Sequence, residues 1–295
     1  MPLRSPALAV LVPLLWGAQY AIIKVGLLAF PPLFFVALRF AAIAVLLLPF
    51  VGRLSGREWG AVAIVSLFMG GLNFGLTFAG LAHGQAGMSS VVNQLSAPFM
   101  VLLAWPVLGE RPSAFVAGGV VLAFAGVAAM MIGGPLGTEA LPVLLVAGAG
   151  LALAVGSVLT KLWGPFKPLK LMGWMSLFTV PQMLAASLLM EHGQLASLQA
   201  ASLQAWTALA YTIVLGGIAG FGLWFWLIDR YSMAQVAPFA LLQIPFAVGT
   251  GIVWLGEPLS WRIVLGAALC VAGVLMTQHR KPVTAMTIGA CNDRP

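Results

Sequence analysis

Long runs without charged residues organise this chain. Asp, Glu, Lys and Arg are all absent from residues 59–109, 112–138 and 193–228, among other stretches. A helix that crosses a bilayer needs about 20 mostly apolar residues, and these runs lack the period-two alternation of membrane-barrel strands. Proline, glycine and charged positions divide the apolar runs into ten predicted spans. The predicted spans are residues 6–28, 31–51, 59–82, 86–107, 112–133, 141–163, 170–190, 205–229, 232–255 and 259–279.

The composition agrees with a membrane environment. Hydrophobic residues make up 61% of the chain and charged residues only 7%, with a mean hydropathy of +1.05. A soluble domain carries roughly 25% charged residues. The N-terminal segment also fits a signal peptide, but Lys24 and the immediate second span favour an uncleaved first helix. The sequence therefore predicts an all-α integral membrane protein.

One phrase occurs twice in the sequence. Leu-Gly-Glu ends at Glu110 and again at Glu257, 147 positions later (257 − 110), and a Gly-rich segment ending in Ala-Gly-Val follows each copy. The same alignment superposes Pro98 on Pro245. A duplication at about half the chain length is typical of a transporter built from two repeats. The predicted units are a first repeat at 1–137, a second repeat at 138–281 and a disordered cytoplasmic tail at 282–295.

The distribution of Lys and Arg predicts the orientation. If the N-terminus is cytoplasmic, the cytoplasmic segments hold nearly all cations outside the spans, and the outer loops hold only Arg262. Five spans per repeat then place Glu110 and Glu257 at opposite faces, so the repeats are inverted. Because the net charge of +7 is spread over many segments, no nucleic-acid-binding patch is predicted. We expect an inner-membrane protein with both termini in the cytoplasm.

Two cations fall within predicted spans. Lys24 lies near the outer end of span 1, where its ammonium either reaches the headgroups or serves a site. Arg39 lies about eight residues into span 2, roughly 12 Å deep at 1.5 Å per residue. An intramembrane Arg at that depth indicates either a site or gating role, or an internal tie to backbone carbonyls. Together the two cations favour a solute that carries a carboxylate.

Uncharged polar residues supply the other candidate contacts. Amides inside a membrane bundle serve either as interhelical hydrogen-bond partners or as part of a substrate site. Ser96 aligns with Gln243, and each precedes a repeated proline by two residues; a mid-helix proline bends its helix, so Pro98 and Pro245 are predicted hinges. Trp224 is either a cavity wall or part of an interfacial belt. The candidate substrate-binding residues are Lys24, Arg39, Gln19, Tyr20, Asn73, Asn93, Gln94, Trp224 and Gln243.

Several functional classes lack their expected residues. No Asp or Glu falls in the middle of a predicted span, so the buried carboxylate of a cationic-drug/proton antiporter is missing. No phosphate-binding loop or HExxH motif occurs, and the three His residues are scattered at span ends. The sequence therefore predicts neither an enzyme nor a metal or cofactor site.

Several motifs resemble the EamA carriers of the drug/metabolite transporter superfamily. The resemblance covers about residues 7–280, and within the family it is strongest to bacterial inner-membrane exporters of cysteine and O-acetylserine. It implies ten helices and a central cavity lined by helices 3, 4, 8 and 9, with help from helix 1. It also implies export of amino acids or related metabolites. The motifs are Trp16-Gly17, Ile23-Lys24-Val25-Gly26-Leu27, Pro31-Pro32-Leu33, Leu38-Arg39-Phe40, the two Leu-Gly-Glu copies, Gly220-Phe221-Gly222-Leu223-Trp224, Arg230-Tyr231 and Val236-Ala237-Pro238.

The sequence thus leads to an alternating-access exporter of small amino acids or similar metabolites. Its expected partners are a small-molecule substrate and the lipid bilayer, and the expected assembly is a monomer or a homodimer. A broad-specificity efflux carrier for toxic amphiphilic compounds, in the same fold, remains the alternative.

Overall fold

The computed structural model describes residues 6–131, 140–231, 236 and 239–278. Within these ranges the chain is helical and contains no strand. The helices are α1 Pro6–Leu27, α2 Pro32–Leu47, α3 Gly56–Val65, α4 Asn73–His83, α5 Ala86–Asn93, α6 Ser96–Leu108, α7 Ala114–Met131, α8 Ala140–Trp163, α9 Pro168–Met190, α10 Gln194–Ala200, α11 Leu203–Ile213, α12 Gly220–Arg230, α13 Gln243–Leu255 and α14 Trp261–Gln278.

The predicted spans are recovered as helices, and the all-α membrane architecture is confirmed. Within the described ranges, nine helices are long and apolar enough to cross a membrane, and α13 is a shorter apolar helix. The α13 helix is the second half of the predicted ninth span; most of that span's first half lies outside the described residues. The predicted boundary at 137/138, the end of the second repeat at 281 and the tail at 282–295 also lie outside them.

Both halves of the chain interrupt their helices at equivalent places. A π-helical turn at Ser66–Leu72 joins α3 to α4, and another at Val214–Ala219 joins α11 to α12. A turn at Gln94 and Leu95 separates α5 from α6, and 147 residues later a turn precedes α13. Spans 3 and 4 of the first repeat and spans 8 and 9 of the second are therefore the irregular ones. π-helical turns are frequent at functional sites, which makes these segments candidates for a site.

The repeated Leu-Gly-Glu phrase has a simple structural role. Its glycines, Gly109 and Gly256, end α6 and α13 in the left-handed conformation, with φ of 71° and 65°. The amide of the following glutamate reaches back to a helix carbonyl, at 3.3 Å for Glu110 and 3.1 Å for Glu257. This is the hydrogen bonding of a glycine helix cap, in which glycine avoids the steric penalty of positive φ. The phrase therefore stops one helix so that the closing helix can turn back.

The closing helices α7 and α14 cross each other through glycines. A Cβ on Gly119 would lie 2.7 Å from the Gly273 carbonyl, and one on Gly126 would lie 2.7 Å from the Gly266 carbonyl. Small residues at such crossings let backbones approach closely. Gly119 is equivalent to Gly266 and Gly126 to Gly273, so each repeat presents the same surface to the other, antiparallel. This reciprocal packing is that of two inverted repeats.

Two further glycines bring helices up to the interrupted spans. A Cβ on Gly17 of α1 would lie 2.7 Å from the Gln243 carbonyl at the start of α13. A Cβ on Gly150 of α8 would lie 3.2 Å from the Ser96 amide at the start of α6. The first helix of each repeat thus packs on the break in the fourth helix of the other repeat.

The position of α2 is determined at its first turn. Pro32 occupies the first helical position, which tolerates a residue without an amide hydrogen. The Glu191 carboxylate accepts hydrogen bonds from the amides of Leu33 (2.7 Å) and Phe34 (3.1 Å). A carboxylate is favourable at a helix N-terminus because it meets unpaired amides and the positive end of the helix dipole. This anchor sets the depth at which α2 carries Arg39, its eighth residue.

Candidate substrate-binding site

The hydroxyl of Tyr20 is the meeting point of three spans. Its oxygen accepts a hydrogen bond from the Asn93 amide at 2.9 Å and one from the Gln243 amide at 3.2 Å. Tyr20 comes from α1, Asn93 ends α5 and Gln243 begins α13, so spans 1, 4 and 9 converge. The structure therefore brings together three of the predicted site residues, at the breaks in the interrupted spans. We call Tyr20, Asn93 and Gln243 the amide cluster.

The amide cluster has hydrogen-bonding capacity to spare. The Asn93 side-chain oxygen is fully enclosed and has no hydrogen-bond partner among the described residues. Buried polar atoms are rarely left unpaired, since each costs about 1–3 kcal/mol. The cluster can therefore accept a hydrogen bond from a bound molecule.

Arg39 is enclosed at the middle of α2. Its residue is 1% exposed, and its Nε and Nη1 atoms have no hydrogen-bond partner among the described residues. No Asp or Glu of the described chain forms an ion pair with it. A buried cation without an anion is costly, because desolvation is not offset by a paired charge. The predicted internal tie to backbone carbonyls is absent for the described residues.

Aromatic rings face the Arg39 guanidinium. Its central carbon lies 4.6 Å from the ring centre of Phe74 and 5.8 Å from that of Phe40. These distances lie within the range of cation–π attraction. Ile43, one turn beyond Arg39, packs against the π-helical turn of span 8, where a Cβ on Gly217 would lie 3.2 Å from it. Arg39 therefore faces Phe74 at the start of α4, and lies one turn before the residue of α2 that contacts span 8.

Gln19 points to the same π-helical turn of span 8. Its side-chain oxygen is enclosed and has no partner among the described residues, and a Cβ on Gly216 would overlap its amide. The neighbouring Trp16 donates its indole N–H to the Gly216 carbonyl at 3.1 Å. Gly216 thus leaves space for the Gln19 side chain. The unpaired Gln19 oxygen is an acceptor on α1 in addition to the Tyr20 hydroxyl.

Lys24 is engaged with protein groups. Its ammonium lies 2.7 Å from the Glu257 carboxylate and donates to the Gly84 carbonyl at 2.8 Å. Glu257 in turn accepts from the backbone amide of Ala86, at 2.9 Å to each oxygen. The Lys24 charge is therefore already matched by a carboxylate in this conformation, unlike that of Arg39.

Three other predicted residues lie apart from the amide cluster. Asn73 donates to the Ala149 carbonyl at 2.9 Å and so links span 3 to α8. Gln94 forms the turn after α5, and its side chain makes no hydrogen bond within the described residues. Trp224 packs on Trp16, with ring centres 5.6 Å apart. Asn73 is thus an interhelical link, Gln94 is part of a turn, and Trp224 is part of an aromatic wall.

The two repeated prolines begin helices. Pro98 is the third residue of α6 and Pro245 is the third residue of α13. The sequence predicts that each proline bends one continuous helix. In the structure, each span is instead interrupted just before its proline. A proline in the first turn of a helix is tolerated, because that amide would have no partner inside the helix. Their action as hinges stays a prediction.

Comparison with known proteins adds a family to this geometry. The model of the EamA-like transporter family matches the chain twice, at residues 4–132 and 140–278. The chain belongs to the EamA-like transporter family. It is a multi-pass membrane transporter that acts on a small-molecule substrate, and the family indicates a transporter rather than an enzyme.

Relatives of this EamA-like transporter cover most of its length. A protein of Salmonella typhimurium named "Probable amino-acid metabolite efflux pump" is 30% identical over 289 residues, with 93% of this chain and 94% of that protein covered. One of the same name from Escherichia coli K12 is 29% identical, with the same coverage. A "Probable terminal-alkyne amino-acid exporter" of Streptantibioticus cattleyicolor is 28% identical, covering 68% of this chain and 67% of that protein. A chain of known structure matches with a TM-score of 0.62 at 19% identity, covering 93% and 96%.

Sequence reasoning missed four residues of this EamA-like transporter that the structure makes prominent. Gln182 donates to the Ser66 hydroxyl at 2.9 Å, and its side-chain oxygen is enclosed and unpaired within the described chain. Both are uncharged polar residues within predicted spans, so the criterion that selected Asn73 would have selected them. Trp16 and Glu257 stood out in the sequence only as members of repeated or family motifs, and no contact was predicted for either.

Two further features concern the described part of the EamA-like transporter as a whole. Among those residues, no three His, Cys, Asp or Glu side chains lie close enough together to hold a metal ion. A cavity of about 320 Å³ lies between the end of α1 and α10, and no predicted site residue lines it. Its lining residues are Val25, Leu28, Ala29, Ala200, Ser202 and Gln204.

Proposed function

We propose that the protein is an alternating-access exporter of small amino acids or related metabolites. Membership of the EamA-like family supports transport, and the names of two relatives that align with over 90% of this chain support amino-acid metabolites as solutes. The likeness in its motifs to exporters of cysteine and O-acetylserine makes these two compounds the first solutes to test. The proposal rests on the chemistry of Arg39 and the amide cluster.

The unpaired guanidinium of Arg39 is the observation that carries the proposal. Arginine binds carboxylates through two parallel N–H···O bonds, and such charge-assisted bonds are among the strongest in proteins. Two enclosed donors on Arg39, Nε and Nη1, lack partners in the described chain, so a solute carboxylate would pair with the charge and accept a hydrogen bond from one of them. Lys24, the other predicted anchor, already has Glu257 as its partner. Arg39 is therefore the better anchor for an anionic group.

The unpaired amide oxygens suit the other end of an amino acid. An ammonium group carries three donors and no acceptor, as a lysine head group does. Gln19 and Asn93 each present an enclosed oxygen without a partner among the described residues. These neutral acceptors would bind an ammonium without forming an ion pair too strong for release. A zwitterion thus matches both the unpaired donors and the unpaired acceptors.

One observation favours the broader alternative. Trp16 packs on both Phe221 and Trp224, with ring centres 5.2 Å and 5.6 Å away. Aromatic surfaces bind many apolar compounds with little geometric selectivity, so this wall would suit a carrier of toxic amphiphiles. Such a carrier raises tolerance to several unrelated compounds. An amino-acid exporter raises tolerance only to amino acids and their analogues.

Orientation and assembly belong to the same proposal. The Lys and Arg distribution supports an inner-membrane location with both termini cytoplasmic, which places Lys161 and Lys170 inside and the Lys24–Glu257 pair outside. All the residues invoked for solute binding lie in one chain. We therefore propose that a monomer, alone or within a homodimer, is the transporting unit.

The decisive variant is Arg39→Ala. Reconstituted in proteoliposomes, it should lose amino-acid flux to the level of empty liposomes, while its abundance in the membrane equals the parent's. Arg39→Lys keeps the charge but not the paired donors, so partial flux with a raised KM is expected. Arg53→Ala, at an exposed arginine, is the matched control and should transport normally. Normal flux in Arg39→Ala would remove Arg39 from the site.

The solute is identified by comparing culture media. Cells that overproduce the protein should release more cysteine, O-acetylserine or another small amino acid than deletion cells do, and Arg39→Ala should abolish the excess. An excess of unrelated amphiphiles would support the broad-specificity alternative. No change in any amino acid would refute amino-acid export.

A further inference from the structure

The Lys24–Glu257 pair does more than match two charges. The Glu257 carboxylate also accepts from the amide of Ala86, at 2.9 Å to each oxygen, and contacts that of Gly87 at 3.5 Å. These amides form the first turn of α5, so Glu257 caps that helix. Lys24 completes the arrangement by donating to the Gly84 carbonyl, in the turn just before α5.

The capped helix leads directly to the amide cluster. The α5 helix has eight residues, about 12 Å at 1.5 Å per residue. Glu257 holds its first residue, Ala86, and Tyr20 holds its last, Asn93, at 2.9 Å. Every residue from Ala86 to Val92 is buried. A displacement at the capped end is therefore transmitted to Asn93.

The α5 helix has a break at its C-terminal end and a glycine contact with α13. The turn at Gln94 and Leu95 interrupts the α-helical pattern between α5 and α6 and replaces it with shorter-range bonds, such as Leu95 amide to Val92 carbonyl at 3.0 Å. Pro98 has no amide hydrogen to donate near this break. On its other side α5 meets α13 through small residues, since a Cβ on Gly87 would lie 3.2 Å from the Val248 Cα. Gly87 itself sends no side chain into α13, and the Val248 side chain packs against its backbone.

The same arrangement of residue types recurs at the opposite face. Lys161, near the end of α8, pairs with Glu110, which is the repeat equivalent of Glu257. In both cases a lysine from the first helix of one repeat holds the Leu-Gly-Glu glutamate of the other. Repeat symmetry places such a pair at each face of the membrane.

We propose that Glu257, held by Lys24, is a positioning residue that clamps α5 and so holds Asn93 on Tyr20. Release of the clamp lets α5 swing about the Gln94 and Leu95 turn, which opens this face and draws Asn93 out of the amide cluster. Opening of the face and disassembly of the cluster are then one motion. Solute would leave because Asn93 no longer contributes its oxygen.

Thiol labelling tests the clamp without any substrate. Ser89 on α5 is 1% exposed, and a Ser89→Cys probe is made in a background with Cys270 and Cys291 replaced by Ser. A membrane-impermeant maleimide is applied to intact cells and to inverted vesicles. The probe should label slowly in the parent and several-fold faster, from one side only, in Glu257→Gln and Lys24→Met. Unchanged labelling from both sides in Glu257→Gln would overturn the proposal.

Two further variants separate the clamp from simpler explanations. Glu191→Gln removes a carboxylate that caps α2 instead of α5, so its labelling should equal the parent's; an equal rise would show general loosening and overturn the proposal. The exchange Lys24→Glu with Glu257→Lys restores an ion pair, but lysine cannot accept from the Ala86 amide. Labelling should therefore stay high in the exchanged protein. A return to the parental rate would show that the ion pair alone matters, and would overturn the clamping of α5.

A reversible cross-link then connects the clamp to transport. The Cβ built on Gly87 lies 3.5 Å from the Cβ of Val248, within the range that a disulfide spans. Gly87→Cys with Val248→Cys should transport amino acids when reduced and stop when oxidised. Full flux in the oxidised protein would overturn the opening of α5. If the parent itself carries no amino acid, the proposed function fails, and labelling of Ser89→Cys still decides the clamp.

Discussion

The guanidinium carbon of Arg39 lies 4.6 Å from the ring centre of Phe74, on the neighbouring span. This ring is the nearest electrostatic partner that the described structure provides for the buried charge. Such contacts contribute about 0.5–1 kcal/mol at exposed sites and about 2 kcal/mol or more when they are desolvated. The stability of the empty transporter and the proposed binding of a carboxylate therefore depend on the same cation.

Phe74→Leu should lower the stability of the purified protein by about 1 kcal/mol or more through the lost cation–π contact. Thermal unfolding in detergent measures this loss. In an Arg39→Met background the same substitution should cost clearly less, because the cation is gone. Phe99→Leu, which affects a ring packed on Phe124 at 5.1 Å, should cost the same in both backgrounds. An equal cost of Phe74→Leu in the two backgrounds would contradict the coupling.

Tyr20→Phe should reduce transport by about tenfold or more, which corresponds to roughly 1.4 kcal/mol. The substitution removes the oxygen that accepts from Asn93 and Gln243, and an unpaired buried donor costs about 1–3 kcal/mol. Flux in proteoliposomes provides the measurement. Tyr211→Phe is the control, because that hydroxyl donates to the Leu15 carbonyl at 3.0 Å; its flux should stay near the parental rate. Parental flux in Tyr20→Phe would separate the amide cluster from transport.

Glu191→Ala should destabilise the protein by about 1 kcal/mol, with an upper range near 2 kcal/mol for a carboxylate at a helix N-terminus. The Leu33 and Phe34 amides would lose their acceptor, and α2 would lose the anchor that sets the depth of Arg39. Thermal unfolding and the KM for the solute measure the two consequences. Asp229→Ala, at an exposed acidic residue, should change neither quantity. A Glu191→Ala protein with unaltered stability would show that the cap contributes nothing.

The spans could be predicted from the sequence because charge and length decide them. A run such as 140–160 has only one stable arrangement in a membrane, a helix with its own backbone hydrogen bonds. The break before α6 could not be predicted in the same way. Gln94 and Leu95 are ordinary helix formers, and the turn there depends on Pro98 downstream and on the close approach of Gly150 from the other repeat.

The candidate site was predictable in its residue types and only partly in its pairings. Arg39, Tyr20, Asn93 and Gln243 stand out because polar side chains are scarce in these spans. The partnership of Lys24 with Glu257 depends on how two repeats pack, which no local pattern records. Orientation alone placed both residues at the same face, so their pairing was accessible in principle.

Gly273→Ala should destabilise the crossing of α7 and α14 by about 1–3 kcal/mol, the usual cost of overpacking. A Cβ at this position would lie 2.5 Å from the Gly119 carbonyl, which cannot move away without shifting the helix. Unfolding in detergent is again the measurement. Gly118→Ala is the matched control, since the nearest atom to its Cβ would be the Met276 methyl at 3.6 Å. Equal stability of the two variants would show that the crossing tolerates a side chain.

The same crossing determines how such a molecule can be built from a single ancestor. Gly119 meets Gly273 and Gly126 meets Gly266, and in repeat numbering both contacts join the same two positions. One five-helix polypeptide, inserted into the membrane in both orientations, would therefore carry both glycine positions of this crossing. Fusion of two genes would add no new contact to the crossing. The covalent link supplies stoichiometry: every copy facing one way arrives with a copy facing the other.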